Sequence, residues 1–387
     1  MVTNFDSDVI VIGAGPAGSR TAQRLAAAGY AVILVERRAE SGGPVCCTGI
    51  ISCEAFTRFE IDPAIALREF TGAAIFAPNG RPVQVQRDSP QAVIVDRGSL
   101  DGFLTTRAVE SGARLLLNTR AESIRTDDNR VIISVASSGG SYNLTTRAAV
   151  IASGLAPGLL RNLGLGRIKD TALGLQVEVD TPEPAEVQLF LGRRFAPGFF
   201  GWLAPISDRK AKLGLLTRTK TDNSLNALAD FLRCRRIINQ VSDDIQCRPI
   251  PLSTLPKTFS DRIIVVGDAA GQVKSTTGGG LSYGMTCADI AADTMTKALS
   301  MNKLDAAALQ SYERAWKARL GWDLRLGRLA MHVFQQLSDR QIDRLIERCA
   351  DKRVFDRMAA DERLTFDRHG AALLSAGRSV WPALLSI

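Results

Sequence analysis

Residues 8–36 read DVIVIGAGPAGSRTAQRLAAAGYAVILVE, and their reading decides the fold. DVIVI (8–12) is a continuous run of mostly β-branched residues, which suits a strand covered on both faces of a parallel sheet. GAGPAG follows, then SRTAQRLAAAG, an alanine-rich helix closed by Gly29, then a second strand, YAVILVE. This is one βαβ unit. Its turn carries Gly13, Gly15 and Gly18 at the spacing G-x-G-x-x-G, and its second strand ends on Glu36. Gly13 permits a tight turn, Gly15 lets the backbone approach a pyrophosphate, and Gly18 lets helix and strand pack closely. The helix N-terminus offers free N–H groups and a positive dipole end to phosphate, and a carboxylate at the strand end can accept hydrogen bonds from an adenosine ribose. The expectation is a dinucleotide site contacted by Gly13, Ala14, Gly15, Pro16, Ala17, Gly18, Glu36 and Arg37.

Around this unit lies a chain of 387 residues, 45% hydrophobic and 23% charged, long enough for one large core or two intimately packed domains. No apolar run approaches the roughly 20 residues that span a bilayer. The N-terminus has no basic stretch followed by a separate apolar one, so a cleaved signal peptide is not expected. Seven cysteines without repeated pairs argue against a disulfide framework and for a cytoplasmic protein. The net charge of +8 suits an anionic partner, an acidic membrane surface or a diphosphate substrate, although solvated faces are the commoner account of scattered clusters such as Arg233-Arg235-Arg236. No nucleic-acid module is present, so no nucleic-acid partner is expected.

The dinucleotide is decided downstream. RIIVVGDAAGQVKSTTGGGLSYGMTC (262–287) is a buried strand ending in Gly-Asp, a short loop, and three glycines opening a long helix. It resembles the second FAD signature of the glutathione-reductase-like flavoproteins. The resemblance implies that Gly267 and Asp268 meet the ribityl chain, and that the helix start at Gly278, Gly279, Gly280 and Leu281 faces the flavin pyrimidine. Two signatures about 250 residues apart then fold onto one cofactor, FAD. Residues 93–124 look like the Arg-containing helix of that class and the strand bordering the adenine, which makes Arg97 and Ala121 cofactor contacts. The strand RAAVIASG (147–154) resembles the segment where aromatic hydroxylases carry Asp-Gly; here Ser153-Gly154 keeps only the glycine as a cofactor contact, which argues against a hydroxylase. No second G-x-G-x-x-G appears, so NAD(P)H or another external reductant would visit only transiently.

The fold class expected is α/β: a Rossmann-like FAD-binding domain with an inserted antiparallel-sheet substrate domain and a helical C-terminal region. The FAD domain is discontinuous (1–65, 93–164 and 256–300), the substrate domain takes 66–92 and 165–255, and 301–387 is helical. In that last part Trp316, Leu320, Leu324, Gly327, Met331 and Phe334 form one apolar stripe, suited to core packing or to covering a lipid tunnel, and Ser338 with Gln341 makes a capping box.

GGPVCCTG (42–49) follows Glu36 by a short step. Its cysteines have no partners at metal-ligand or cluster spacing, which leaves a strained vicinal disulfide, inert packing or a thiol beside the flavin. Here the resemblance narrows to the geranylgeranyl reductase family, which carries a Pro-x-x-Cys-Gly-type motif. Aligning Pro44 makes Cys47 the family cysteine beside the flavin, puts Cys46 at a variable position next to it, and sets Thr48 where the family prefers Gly. FFGWLAPIS (199–207) resembles the family's Tyr-x-Trp-x-Phe-Pro motif, implying Phe200, Trp202 and Pro205 as substrate contacts, with Ala204 departing from it. The resemblance implies an FAD-dependent reductase that saturates isoprenoid double bonds by hydride transfer from reduced flavin N5 plus protonation, with Cys47 catalytic and no metal. The only histidines, His332 and His369, sit in the C-terminal part, so a histidine acid is not expected. Partners would be an isoprenoid or prenylated lipid, an external electron donor, and at most a membrane surface touched peripherally by the apolar end SAGRSVWPALLSI (375–387). The rivals are a flavin monooxygenase or halogenase on the same scaffold, and a flavoprotein electron carrier.

Overall fold

In the computed structural model, which describes residues 5–43, 45–182, 186–218, 222–351, 353–361 and 365–367, the opening strand Ser7–Ile12 lies among the parallel strands of an eight-stranded sheet that also carries antiparallel ladders. It pairs with Gly140–Ile151 on one side and Val32–Val35 on the other, and Ile263–Val265 and Arg114–Leu116 extend the two flanks. Val9 and Val11 pack on one face with Leu25, Tyr283 and Met295, while Ile10 and Ile12 pack on the other with Ile133, Ile151 and Leu163. Burial on both faces is why the strand is apolar at consecutive positions. The chain leaves this strand at Gly13, in the crevice outside the strand ends where α/β sheets bind ligands.

The helices are α1 (Pro16–Ala27), α2 (Cys53–Arg58), α3 (Arg97–Glu110), α4 (Asp222–Cys234), α5 (Leu281–Ser300), α6 (Ala306–Gln336), α7 (Asp339–Asp351) and α8 (Val354–Ala360). α1 packs against α3 and α5 on the sheet. Asp289 of α5 ties α1 and α2 to that helix, 2.7 Å from Arg20 of α1 and 3.4 Å from Arg58 of α2.

A second sheet runs in the order Gln246–Pro251, Thr171–Asp180, Lys210–Thr217, Phe200–Pro205, Val187–Leu191, Gly72–Phe76, Pro82–Gln86. It is mixed, not antiparallel throughout: Val187–Leu191 runs parallel to Gly72–Phe76. These two strands come from segments joined by a long excursion through the first sheet, and only a tight hairpin forces an antiparallel neighbour. Ala66–Phe70, grouped by sequence with the substrate segment, pairs instead with Ala92–Val95, which also pairs with Ile50–Ser52. Ala66 packs on the core around Phe59, Leu100 and Leu104, while Phe70 packs with Ile94 and with Val187 and Ala204 of the second sheet, so the strand bridges the two halves. α4 covers the second sheet through Leu225, Leu228 and Leu232.

α6 is capped by Asp305, whose side chain accepts the Ala308 N–H at 2.9 Å. The stripe changes partner along its length: Trp316, Leu320 and Leu324 join the core of the first sheet, Met331 packs on the second sheet, and Phe334 meets the cluster of α7. The capping box forms, with the Ser338 N–H donating to Gln341 Oε1 at 2.9 Å and the Gln341 N–H to Ser338 Oγ at 3.4 Å. Among the described residues no helix is long and apolar enough to cross a membrane. Pro44, His369 and the apolar end 375–387 lie outside the described residues.

Candidate active site

The glycine turn is built from both sides. Gly13 has φ +103°, and a Cβ there would stand 2.5 Å from the Ala152 carbonyl; one on Gly18 would stand 1.8 Å from the Gly13 carbonyl. Gly15 is the opposite case, with no atom within 4 Å of a Cβ position. Two glycines therefore serve packing and the third faces open space. Glu36 steadies the turn, its Oε2 accepting the Ala14 N–H at 2.9 Å and its Oε1 the Arg38 N–H at 3.0 Å. The Asn118 and Thr119 N–H groups donate to the Arg38 and Glu36 carbonyls, which brings this segment alongside the end of the second strand.

A cavity of about 1370 Å³ opens beyond Gly15. Gly15–Ala17, Cys46–Ile51, Arg97, Gly154, Gly267–Asp268 and Gly278–Leu281 all line it, so both glycine signatures and the cysteine loop share one space. Phe200 and Trp202 face them from the second sheet. Gly13, Ala14, Gly18, Glu36, Arg37 and Ala121 do not line it: the first four form or brace the turn behind Gly15, Arg37 is exposed, and Ala121 packs against the sheet core. Pro205 is a correction. It is buried, ends its strand opposite Ala211, and stands away from the cavity. It lies three positions on from Trp202, and alternation along a strand turns an odd step to the other face.

Cys46 and Cys47 are free, half-buried thiols, with no disulfide between them. The second sheet holds their loop: Thr48 Oγ1 donates to Gln176 Oε1 at 2.8 Å, and Lys212 Nζ donates to the Cys47 carbonyl at 3.0 Å. Arg97, the first residue of α3, is buried, donates through Nη2 to Asp101 at 2.8 Å, and reaches the Cys47 thiol. Its Nε has no partner. Burial, with Cys47 and Cys247 adding to it, pushes the Cys46 thiol up to about 11, so it stays protonated at neutral pH. Burial also lowers the Lys212 ammonium from its ordinary value. Among the described residues no group of three or more His, Cys, Asp or Glu could hold a metal.

The residues present fit FAD. α1 and α5 both start on glycines, Gly15 and Gly280, without a side-chain cap and without an acid in the first turn, so their first N–H groups point at the cavity. Asp268, on the wall, has Arg248 Nη2 at 3.0 Å. Gln272 holds the second signature from inside, accepting the Gly267 N–H at 2.8 Å and donating to the buried Tyr312 hydroxyl at 2.8 Å. Arg248, Lys212, Gln272 and Lys274 escaped the sequence reading. Lys274 and Gln272 stood inside the quoted signature, but no spacing marks them; Arg248 and Lys212 lie on strands remote from any motif.

Three comparisons bear on this site. Residues 8–358 match the family described as lycopene cyclase protein. The chain is 30% identical over 362 residues to digeranylgeranylglycerophospholipid reductase 2 of Methanopyrus kandleri, covering 89% of this chain and 90% of that one. It is 29% identical over 354 residues to digeranylgeranylglycerophospholipid reductase of Methanocaldococcus jannaschii, covering 88% and 90%. Among solved structures, a geranylgeranyl bacteriochlorophyll reductase-like protein from Thermoplasma acidophilum superposes with a TM-score of 0.88 at 22% identity, covering 98% of each chain.

Proposed function

We propose, from the premise that this chain belongs to the geranylgeranyl reductase family of FAD-dependent oxidoreductases, that it saturates carbon–carbon double bonds of an isoprenoid lipid. The observation that carries the reading is the shared cavity: an apolar wall of Phe200, Trp202, Leu189 and Leu191 faces the cysteine loop and both glycine signatures. The names of the relatives supply the substrate class, a geranylgeranyl chain on a glycerophospholipid.

FAD would be held by the N-termini of α1 and α5, by Asp268 and Arg97, and by the loop around Cys47. When bound, its reduced form supplies a hydride from N5. An isolated alkene has no carbonyl to polarise it, so the proton donor and the exclusion of water carry the rest of the barrier. The apolar wall excludes water. Cys47 Sγ–H gives its proton to the second alkene carbon, and the thiolate left behind is held by the Arg97 guanidinium, with Lys212 on the same loop as a second cation. A proton from solvent restores the thiol. Cys46, held protonated by burial, is a bystander.

The test is anaerobic turnover of a geranylgeranyl-bearing lipid, with dithionite standing in for the physiological donor. The product should gain two hydrogens per double bond by mass. A product that contains oxygen, formed only in air, would replace this reading with a monooxygenase.

A further inference from the structure

The cavity wall carries a cation that the reaction above does not use. Lys274 lies in the loop between Asp268 and α5, and its side chain is 6% exposed. Its ammonium donates to Asp367 Oδ1 at 2.6 Å and to the Phe366 carbonyl at 3.3 Å, over the rings of Tyr283 and Phe366. Asp367 Oδ2 accepts from Ser282 at 2.9 Å and from Ser52, and the Tyr283 hydroxyl donates to the Asp367 carbonyl at 2.8 Å. Three parts of the chain, the cap of α2, the Lys274 loop and the first turn of α5, converge on one residue.

The donors are fixed without it. Ser52 also accepts the Ala55 N–H at 3.0 Å as the cap of α2, Ser282 and Tyr283 ride on α5, and the Lys274 backbone bonds Gly278 and Gly279. Asp367 arrives from 93 residues away in sequence, on the short stretch Thr365–Asp367. The Thr365 hydroxyl is buried without a partner, so this stretch is less completely satisfied than the cradle it enters. Lys274, Ser282, Thr365, Phe366 and Asp367 all line the cavity that holds Phe200 and Trp202.

We propose that this cradle is the subsite for the anionic end of the substrate, a phosphate or diphosphate ester, and that Asp367 occupies it while substrate is absent. The proposal rests on the isoprenoid reading above. A phosphate ester offers what the carboxylate offers, charged acceptor oxygens without a donor, and lysine serves either as a point charge. A buried ammonium left unpaired is costly, so an internal carboxylate fills the site between turnovers. Exchanging one anion for another keeps that pairing, whereas a neutral prenyl alcohol cannot displace Asp367. The cradle therefore selects carriers with an anionic end and fixes where the isoprenoid chain begins.

The FAD-loaded protein is titrated calorimetrically with inorganic diphosphate and, separately, with glycerol 1-phosphate, which distinguishes a free diphosphate from a glycerophospholipid headgroup. One probe or the other should bind the parent, and its binding should speed hydrogen exchange in the peptide carrying Thr365–Asp367. Asp367→Asn should bind that probe about tenfold tighter, the factor expected when the open site is about a tenth of the population. Lys274→Met should lose the binding while keeping FAD. The proposal is overturned if neither probe binds Asp367→Asn, if exchange at Thr365–Asp367 is unchanged in the parent, or if Lys274→Met binds as the parent does. An Asp367→Asn protein that no longer folds with FAD makes the pair a structural strut and ends the proposal equally. None of these readouts uses turnover, so failure of isoprenoid reduction is told apart from failure of the subsite.

Discussion

Cys46 and Cys47 are neighbours in sequence with different surroundings. Cys47 meets Arg97, and its carbonyl takes the Lys212 ammonium, whereas Cys46 points its thiol toward the Gly174 carbonyl at 3.9 Å. Cys47→Ser should keep FAD but lower alkene turnover by a factor of about 100, the usual cost of losing a positioned proton donor. Cys46→Ser should change little, and equal turnover by both variants would remove the catalytic role. Flavin reduction is measured separately, because slow reduction alone would assign the thiol to positioning. Burial raises Cys46 to about 11 from 9.0, so the folded chain binds that proton more tightly than the unfolded one. Its contribution to stability is then fully present below pH 9.0 and lost as pH rises through about 11. Alkylation near neutral pH, read by mass spectrometry, should label Cys234 and Cys247, both exposed, well before Cys46. Cys46 labelled as fast as Cys234 would contradict its burial.

At the scale of strands and helices, the substrate wall depends on one glycine. Gly214 lies opposite Trp202 on the neighbouring strand, and a Cβ there would stand 2.4 Å from the indole and 2.7 Å from the Leu175 carbonyl. Gly214→Ala should push the indole into the cavity, cost about 1–3 kcal/mol of stability, and raise KM for a long prenyl substrate about tenfold while FAD content holds. An unchanged KM would take Trp202 out of the wall. The elements themselves differ in how far sequence reveals them. The strand at 8–12 and the helix after it were legible because their periodicity and punctuation are local, as was the capping box at Ser338. The parallel ladder between Val187–Leu191 and Gly72–Phe76 was not, because pairing between distant segments leaves no local mark. Pro205 was misplaced because a motif was read as a block, when alternation splits it between two faces. Lys274 and Asp367 acquire meaning only where the tertiary fold brings them together.

Over the whole molecule, Asp289 holds the cofactor half together. It is 8% exposed and meets Arg20 at 2.7 Å, Arg58 at 3.4 Å and Arg24 at 3.6 Å, while Arg20 and Arg58 also lie over the Phe59 ring. Asp289→Ala takes the partner from the buried Arg20 guanidinium, while Arg24 keeps Asp293 and Arg58 keeps Thr286, and loss of one partner of a buried pair costs about 3–5 kcal/mol. The urea midpoint of the FAD-loaded protein should fall accordingly, and FAD should dissociate faster, since α1 and α5 both open on its cavity; an unchanged midpoint would make Asp289 a surface charge. The parallel ladder carries a consequence of another kind, in time. The hairpin of Gly72–Phe76 and Pro82–Gln86 leaves the ribosome with its partner strand Val187–Leu191 still unmade, roughly 100 residues further on. At roughly 5–20 residues per second the wait is about 5–20 s, during which a lone hairpin is barely stable and Gly72–Phe76 offers an unpaired edge to any passing strand. Ile75, which later lines the substrate cavity, spends that interval on a nascent chain. The pace of translation thus sets the period in which this half of the molecule is open to misassociation, and slowing the ribosome between the two segments should lower the soluble yield.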